Sequence, residues 1–144
     1  MSVIAFDLDG TLEDSRVDMV RSVERVRGTY GLANLESSLI RPHVNRGMEH
    51  LYRTCFAELF AAEGEAAYGD LKERYEADYG AHIADHTRLY EGVAAALESL
   101  HSEGQQLALV TNKPEGLSRA LLDALGVAQL FRAVIGGDTC QMSK

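Results

Sequence analysis

The run Val3-Ile4-Ala5-Phe6 is apolar without a break and stops at Asp-Leu-Asp-Gly-Thr. A short unbroken run that ends on turn-forming residues predicts a buried strand leading into a loop. Beyond it the period changes. Met19, Val23, Val26 and Tyr30 recur in steps of three and four, which predicts a helix closed by Gly31. Ser15, three positions before Asp18, gives that helix a start resembling a capping box. Asn45-Arg46-Gly47 reads as a turn before a second helix with the stripe Met48, Leu51, Cys55 and Leu59. A third helix is predicted from Tyr68, Leu71, Tyr75, Tyr79 and Ile83. Residues 15–85 thus read as helices only.

After Gly92 the character changes again. Val93–His101 is a short helix rich in Ala and Leu, stopped by Gly104. Leu107-Ala108-Leu109-Val110-Thr111 is continuously apolar up to its last residue, the pattern of a strand covered on both faces. Pro114 stands where a first helical residue is favoured, and Leu117, Leu121, Leu122 and Leu125 carry a core face up to Gly126. Ala133-Val134-Ile135 is a further strand before Gly136-Gly137. Strands alternating with helices predict an α/β fold with a parallel sheet and right-handed crossovers. Ligands of such sheets bind beyond the carboxyl ends of the strands. That rule gathers Asp7, Asp9, Thr111, Asn112 and Gly136–Asp138 at one rim.

Composition narrows the function. A chain of 144 residues with 46% hydrophobic residues can bury one core and a small accessory domain. Its net charge of −8 excludes nucleic acid, which is held by clustered Lys and Arg. The same charge disfavours a polyanionic substrate unless a metal or a local basic pocket offsets it. Cys55 and Cys140 form no CxxC pattern and read as free thiols in a reducing compartment. No membrane span or signal segment is visible, so the expected location is cytoplasmic.

Asp7-Leu8-Asp9-Gly10-Thr11 carries the chemistry. Two carboxylates leaving one buried strand repel each other, and a divalent cation removes that cost. Magnesium suits such oxygen donors while keeping water and substrate oxygens in its shell. His82 and His86 stand four apart, but without a third ligand they do not make a metal site. Lys113 reads as a surface charge at a helix start, and Tyr68, Tyr75 and Tyr79 read as core.

The string Asp7-Leu8-Asp9-Gly10-Thr11-Leu12-Glu13-Asp14-Ser15 resembles the first signature of the haloacid dehalogenase superfamily, in its phosphoglycolate phosphatase-like branch. Leu109-Val110-Thr111-Asn112-Lys113-Pro114 resembles the second signature. Tyr90-Glu91-Gly92-Val93 resembles the entry to the preceding helix, with Glu91 in place of the usual Pro. Gly136-Gly137-Asp138-Thr139 resembles the run before the third signature, a lysine for which Lys144 is the candidate.

This likeness implies a Rossmann-like three-layer core from residues 1–14 and 86–144, with residues 15–85 as an inserted α-helical cap. It implies a phosphatase with Asp7 as nucleophile and Asp9 as acid and base. Magnesium would join the Asp7 carboxylate and the Asp9 backbone carbonyl, while Thr11, Thr111, Asn112 and Lys144 would hold the phosphate. Asp rather than Tyr at position 9 favours a phosphatase over a carbon–halogen hydrolase. Arg46 and Gly47 fall where related caps carry a substrate-facing loop. The implied partner is a small phosphorylated metabolite, phosphoglycolate first among them; the oligomeric state is not implied. Family members continue past the third-signature lysine to an acidic fourth signature, so the likeness implies that this chain is part of a longer protein. A pyrophosphatase, a sugar-phosphate mutase, or a weakly catalytic binding or regulatory fragment are the alternatives.

Overall fold

A computed structural model describes residues 2–140. In chain order the elements are β1 (Val3–Phe6), α1 (Arg16–Thr29), α2 (Ser37–Ile40), α3 (Met48–Cys55), α4 (Ala57–Glu63), α5 (Ala67–Ala81), α6 (Val93–Ser102), β2 (Gln106–Val110), α7 (Glu115–Ala124) and β3 (Phe131–Ile135). Short 3-10 turns occupy Arg41–His43, Gly64–Ala66 and Ala128–Leu130. The chain divides into two compact units: Met1–Ser15 with His86–Lys144, and Arg16–Asp85.

The first unit holds a parallel sheet in the order β1-β2-β3. Ile4 pairs with Leu107, and Phe6 with Leu109, which in turn pairs with Val134. Leu107, Ala108 and Leu109 are all buried, which accounts for the unbroken apolar run: β2 is central and covered on both faces. The expectation of a buried first strand is corrected. Val3 is 64% exposed and Ala5 is exposed. The reason is position, since β1 is an edge among the described strands while α6 packs on β2 and α7 on β3.

Pro114 also departs from expectation. Its ψ of 142° is extended, so it caps α7 rather than opening it. The Pro114 carbonyl accepts the Ser118 N–H at 2.9 Å, and the Glu115 N–H is met by Asp138 Oδ1 at 2.7 Å. The first is the opening i→i−4 bond of α7, and the second satisfies a donor that a helix start leaves open. Gly136 and Gly137 lie tight against the same segment, where an added Cβ would strike the backbone of Glu115 and Lys113, or of Asn112.

The helical unit is organised by α1 against α5. Leu51, Tyr52, Phe56, Leu71, Tyr75 and Tyr79 are fully enclosed, and the Tyr75 hydroxyl donates to the Met19 carbonyl at 3.2 Å. The helix expected to run from Met48 through Leu59 is broken. Phe56 leaves the helical region (φ −131°, ψ 31°) and buries its ring at the break between α3 and α4. Ile83 lies past the end of α5, after His82 departs from helical geometry. The unpredicted α2 has four residues, too few to display a helical period.

Gly136→Ala is expected to destabilise the first unit by about 2–3 kcal/mol, because backbone rather than a yielding side chain opposes the new methyl. Urea unfolding checks this; a loss below about 0.5 kcal/mol contradicts the close approach.

Candidate active site

Parallel strands deliver their following loops to one edge of the sheet. Asp7 leaves β1 there, Thr111 and Asn112 leave β2, and Gly136–Asp138 leave β3. Asp7 is exposed, Leu8 is buried beneath it, and the Asp9 side chain is 18% exposed. The chain then turns tightly. The Leu8 carbonyl accepts the N–H of Thr11 at 3.1 Å and of Leu12 at 2.9 Å, and the Gly10 N–H donates to the Glu13 carbonyl at 2.8 Å. Gly10 holds φ +78°, a conformation that favours glycine at this point of the loop. The Tyr90 N–H donates to the Leu12 carbonyl at 3.0 Å and ties the turn to the strand-like residues before α6.

The side chains form a charged cluster. Lys113 Nζ lies 2.9 Å from Asp9 Oδ1, and the Ser15 hydroxyl donates to the same oxygen at 2.8 Å. Lys113 is 3% exposed, which corrects its reading as a surface charge. Just past the end of β2, Thr111 and Lys113 are buried and Asn112 between them is exposed. The Thr111 N–H donates to the Ile135 carbonyl at 2.9 Å, and its hydroxyl accepts the Lys113 N–H at 3.2 Å, leaving the hydroxyl proton to donate.

Glu13, which the resemblance gave no role, is fully buried. Neither of its carboxyl oxygens meets an N–H or hydroxyl of the described residues, and the charged group that acts on it most strongly is the Asp9 carboxyl. Two carboxyls can share a bond only when one carries a proton, and the surroundings decide which. Burial, the bond to Asp9 and the Asp9 charge together push Glu13 up to about 9. Burial also raises Asp9, but the Lys113 charge and the bonds from Glu13, Lys113 and Ser15 outweigh it and hold Asp9 below the usual carboxylate range. The cluster is therefore an anionic Asp9 held between a cation and a neutral acid.

Thr11 is exposed on the turn, so Asp7, Asp9, Thr11, Thr111 and Asn112 all belong to the first unit. Arg46 and Gly47 belong to the helical unit, between the 3-10 turn and α3, with Gly47 at φ +93°. Lys144 lies outside the described residues. His82 is engaged by Asp85 at 2.7 Å, and no group of three metal-binding side chains occurs among the described residues. The donors for magnesium are accordingly few but of the right kind. Lys113 and Ser15 occupy Asp9 Oδ1, which suits an arrangement where the Asp9 backbone carbonyl and the Asp7 carboxylate serve as hard oxygen ligands.

Comparison with known proteins decides the family. The family model for haloacid dehalogenase-like hydrolases matches residues 4–144. The chain belongs to this family. Its relatives include a phosphoglycolate phosphatase of Xanthomonas campestris pv. campestris (strain 8004), 38% identical over 136 residues, covering 94% of this chain and 60% of the relative. A phosphoglycolate phosphatase of Cereibacter sphaeroides (strain ATCC 17025) is 35% identical and covers 100% of this chain and 66% of its own length. The crystal structure of a predicted phosphoglycolate phosphatase from Haemophilus somnus 129pt superposes with a TM-score of 0.84 at 29% identity, over 99% of this chain and 65% of that one. The α/β fold with a parallel sheet is thus that of the family, and this chain spans about 60–66% of the length of these three relatives. No described helix is long and apolar enough to cross a membrane.

The Glu13 proton makes stability depend on pH. Unfolded, Glu13 ionises near 4.5; folded, it keeps its proton up to about 9. Between those values the folded chain binds one proton more, so raising the pH favours unfolding. The contribution is complete below pH 4.5 and is lost as the pH passes about 9. Glu13→Gln keeps a hydrogen-bond donor and removes the titration. In magnesium-free urea unfolding from pH 5 to 9, the variant is expected to gain on the parent as the pH rises. A constant difference between the two proteins contradicts the protonated Glu13.

Proposed function

We propose that this protein is a magnesium-dependent phosphatase that cleaves a small phosphate monoester through an aspartyl-phosphate, with phosphoglycolate the favoured substrate class. The observation that carries the reading is the pairing of an accessible Asp7 with an Asp9 fixed by Lys113 and Ser15 two residues later. Relatives called phosphoglycolate phosphatases at 38% and 35% identity support the substrate class. The absence of a membrane-crossing helix among the described residues is compatible with action in the cytoplasm.

An Asp7 carboxylate oxygen attacks phosphorus as the bond from phosphorus to the substrate oxygen breaks, and Asp9 delivers a proton to that leaving oxygen. Water then attacks the phosphoryl group, Asp9 takes its proton, and the Asp7 carboxylate is released. At rest Asp9 is anionic, the form suited to the second step. For the first step Asp9 must carry a proton, and the buried acid coupled to it is Glu13, whose carboxyl is held in the protonated form. Magnesium, when bound, supplies positive charge against the transferring phosphoryl group. The Thr111 hydroxyl and Asn112 backbone orient phosphate oxygens, and Lys144 adds a fixed positive charge. In this reading residues 15–85 act as a cap that excludes water.

Asp7→Asn is expected to abolish turnover of para-nitrophenyl phosphate and phosphoglycolate in the full-length protein while circular dichroism stays native. Substantial residual turnover removes Asp7 from the nucleophile's role. Arg46 is proposed to read the non-reacting end of the substrate. Arg46→Ala is then expected to raise KM for phosphoglycolate by roughly tenfold and to leave KM for a neutral-ended phosphate ester nearly unchanged. Equal effects on both substrates return Arg46 to an ordinary surface position.

A further inference from the structure

A second concentration of charge lies wholly within the helical unit. Between α1 and the segment that starts with α2 is a cavity of about 500 Å³ lined by Arg16, Arg21, Arg25 and Arg41, with Glu24 and Ser37, over Val17 and Val20. Four of the chain's 14 basic residues line this one cavity, in a protein of net charge −8. Gathering like charges costs repulsion unless something offsets them.

The offsets within the unit are partial. Arg25 is committed to Asp78, with bonds of 2.8–3.1 Å to both carboxylate oxygens, and it also donates to Ser22. Glu24, the acidic residue of the lining, accepts the Ser37 hydroxyl at 2.9 Å. The side chains of Arg21 and Arg41 are exposed and make no hydrogen bond or ion pair with any described residue. They come from different elements, α1 and the 3-10 turn after α2, and meet in one cavity. Their donors are therefore available to a ligand.

We propose that this cavity binds a small multivalent anion, a phosphorylated or polycarboxylate molecule held by Arg21 and Arg41 together, with its carbon skeleton over Val17 and Val20. A guanidinium offers a planar fork that matches phosphate and carboxylate oxygens. A single exposed cation holds an anion weakly against solvent and salt, so the site selects a ligand that engages both arginines at once. The volume is within the range of small-molecule clefts. The site is independent of the hydrolytic reading, because none of its residues belongs to the catalytic rim.

Calorimetric titration of the full-length protein with inorganic pyrophosphate, in EDTA so that no metal assists the rim, tests the proposal. Wild-type protein and Asp7→Asn are expected to bind alike, and the double variant Arg21→Ala/Arg41→Ala to bind at least tenfold more weakly. Arg21→Lys/Arg41→Lys, which keeps the charge, is expected to retain an intermediate affinity. Thermal unfolding of the variants checks their fold, which these exposed and unbonded side chains are not expected to disturb. A parallel titration with citrate distinguishes the ligand classes: equal affinity assigns the site to multivalent anions in general, and weaker binding assigns it to phosphates. Undiminished binding by the Ala double variant overturns the proposal, as does absent binding by the wild type. Binding abolished by Thr111→Ala overturns it too, since the pyrophosphate would then sit at the sheet rim.

Discussion

The rim of the sheet depends on the ion pair between Lys113 and Asp9. Asp9 is mostly enclosed and Lys113 almost wholly so, and either charge alone would be costly at that depth. Placed 2.9 Å apart they stabilise each other, and the Ser15 hydroxyl satisfies Asp9 further. The pair also explains Glu13. With one cation serving two carboxyls, only one carboxyl can be ionised cheaply, and the one in contact with Lys113 takes the charge. The neutral Glu13 follows from the placement of Lys113.

Holding Lys113 in place is the work of the next layer. Its carbonyl accepts the Gly137 N–H at 3.0 Å, its own N–H donates to Thr111, and Pro114 turns the chain into α7. Gly136 and Gly137 come so near residues 112–115 that a side chain would push the segment away. Thr139 continues the clamp, accepting the Gly136 N–H at 2.8 Å and donating to Glu115 at 2.7 Å. The loop after β3 thereby fixes the loop after β2, which fixes the acid that follows β1.

Much of this was legible along the chain, for definite reasons. Leu107–Val110 reads as a covered strand because β2 is central, and the Asp7–Thr11 string announces its chemistry through side chains a few residues apart. What escaped depends on partners distant in sequence. Lys113 and Asp9 are 104 positions apart, so no local pattern tells a buried lysine from a solvated one. Glu13 is polar yet fully buried, and its backbone bridges to Leu89, 76 positions away. Phe56 fits the helical stripe on both sides, so the break it makes between α3 and α4 leaves no mark in the periodicity.

The two charged regions of the molecule follow one rule to different ends. This chain has 22 acidic residues, so a shortage of carboxylates does not explain an arginine without a partner. Where a guanidinium is buried, it is fully served. Arg27 is 1% exposed and bonds both carboxylate oxygens of Glu58 along with the carbonyls of Ala33 and Cys55. On the surface of α5, Arg74 finds Asp70 one turn away. Arg21 and Arg41 stand apart from both cases, since they share a cavity with Glu24 yet leave that carboxylate to Ser37. A cluster that repels itself and declines the acid beside it gains nothing for the fold of the free protein. Asp78 offsets Arg25 within the chain, and negative charge from outside would offset Arg21 and Arg41.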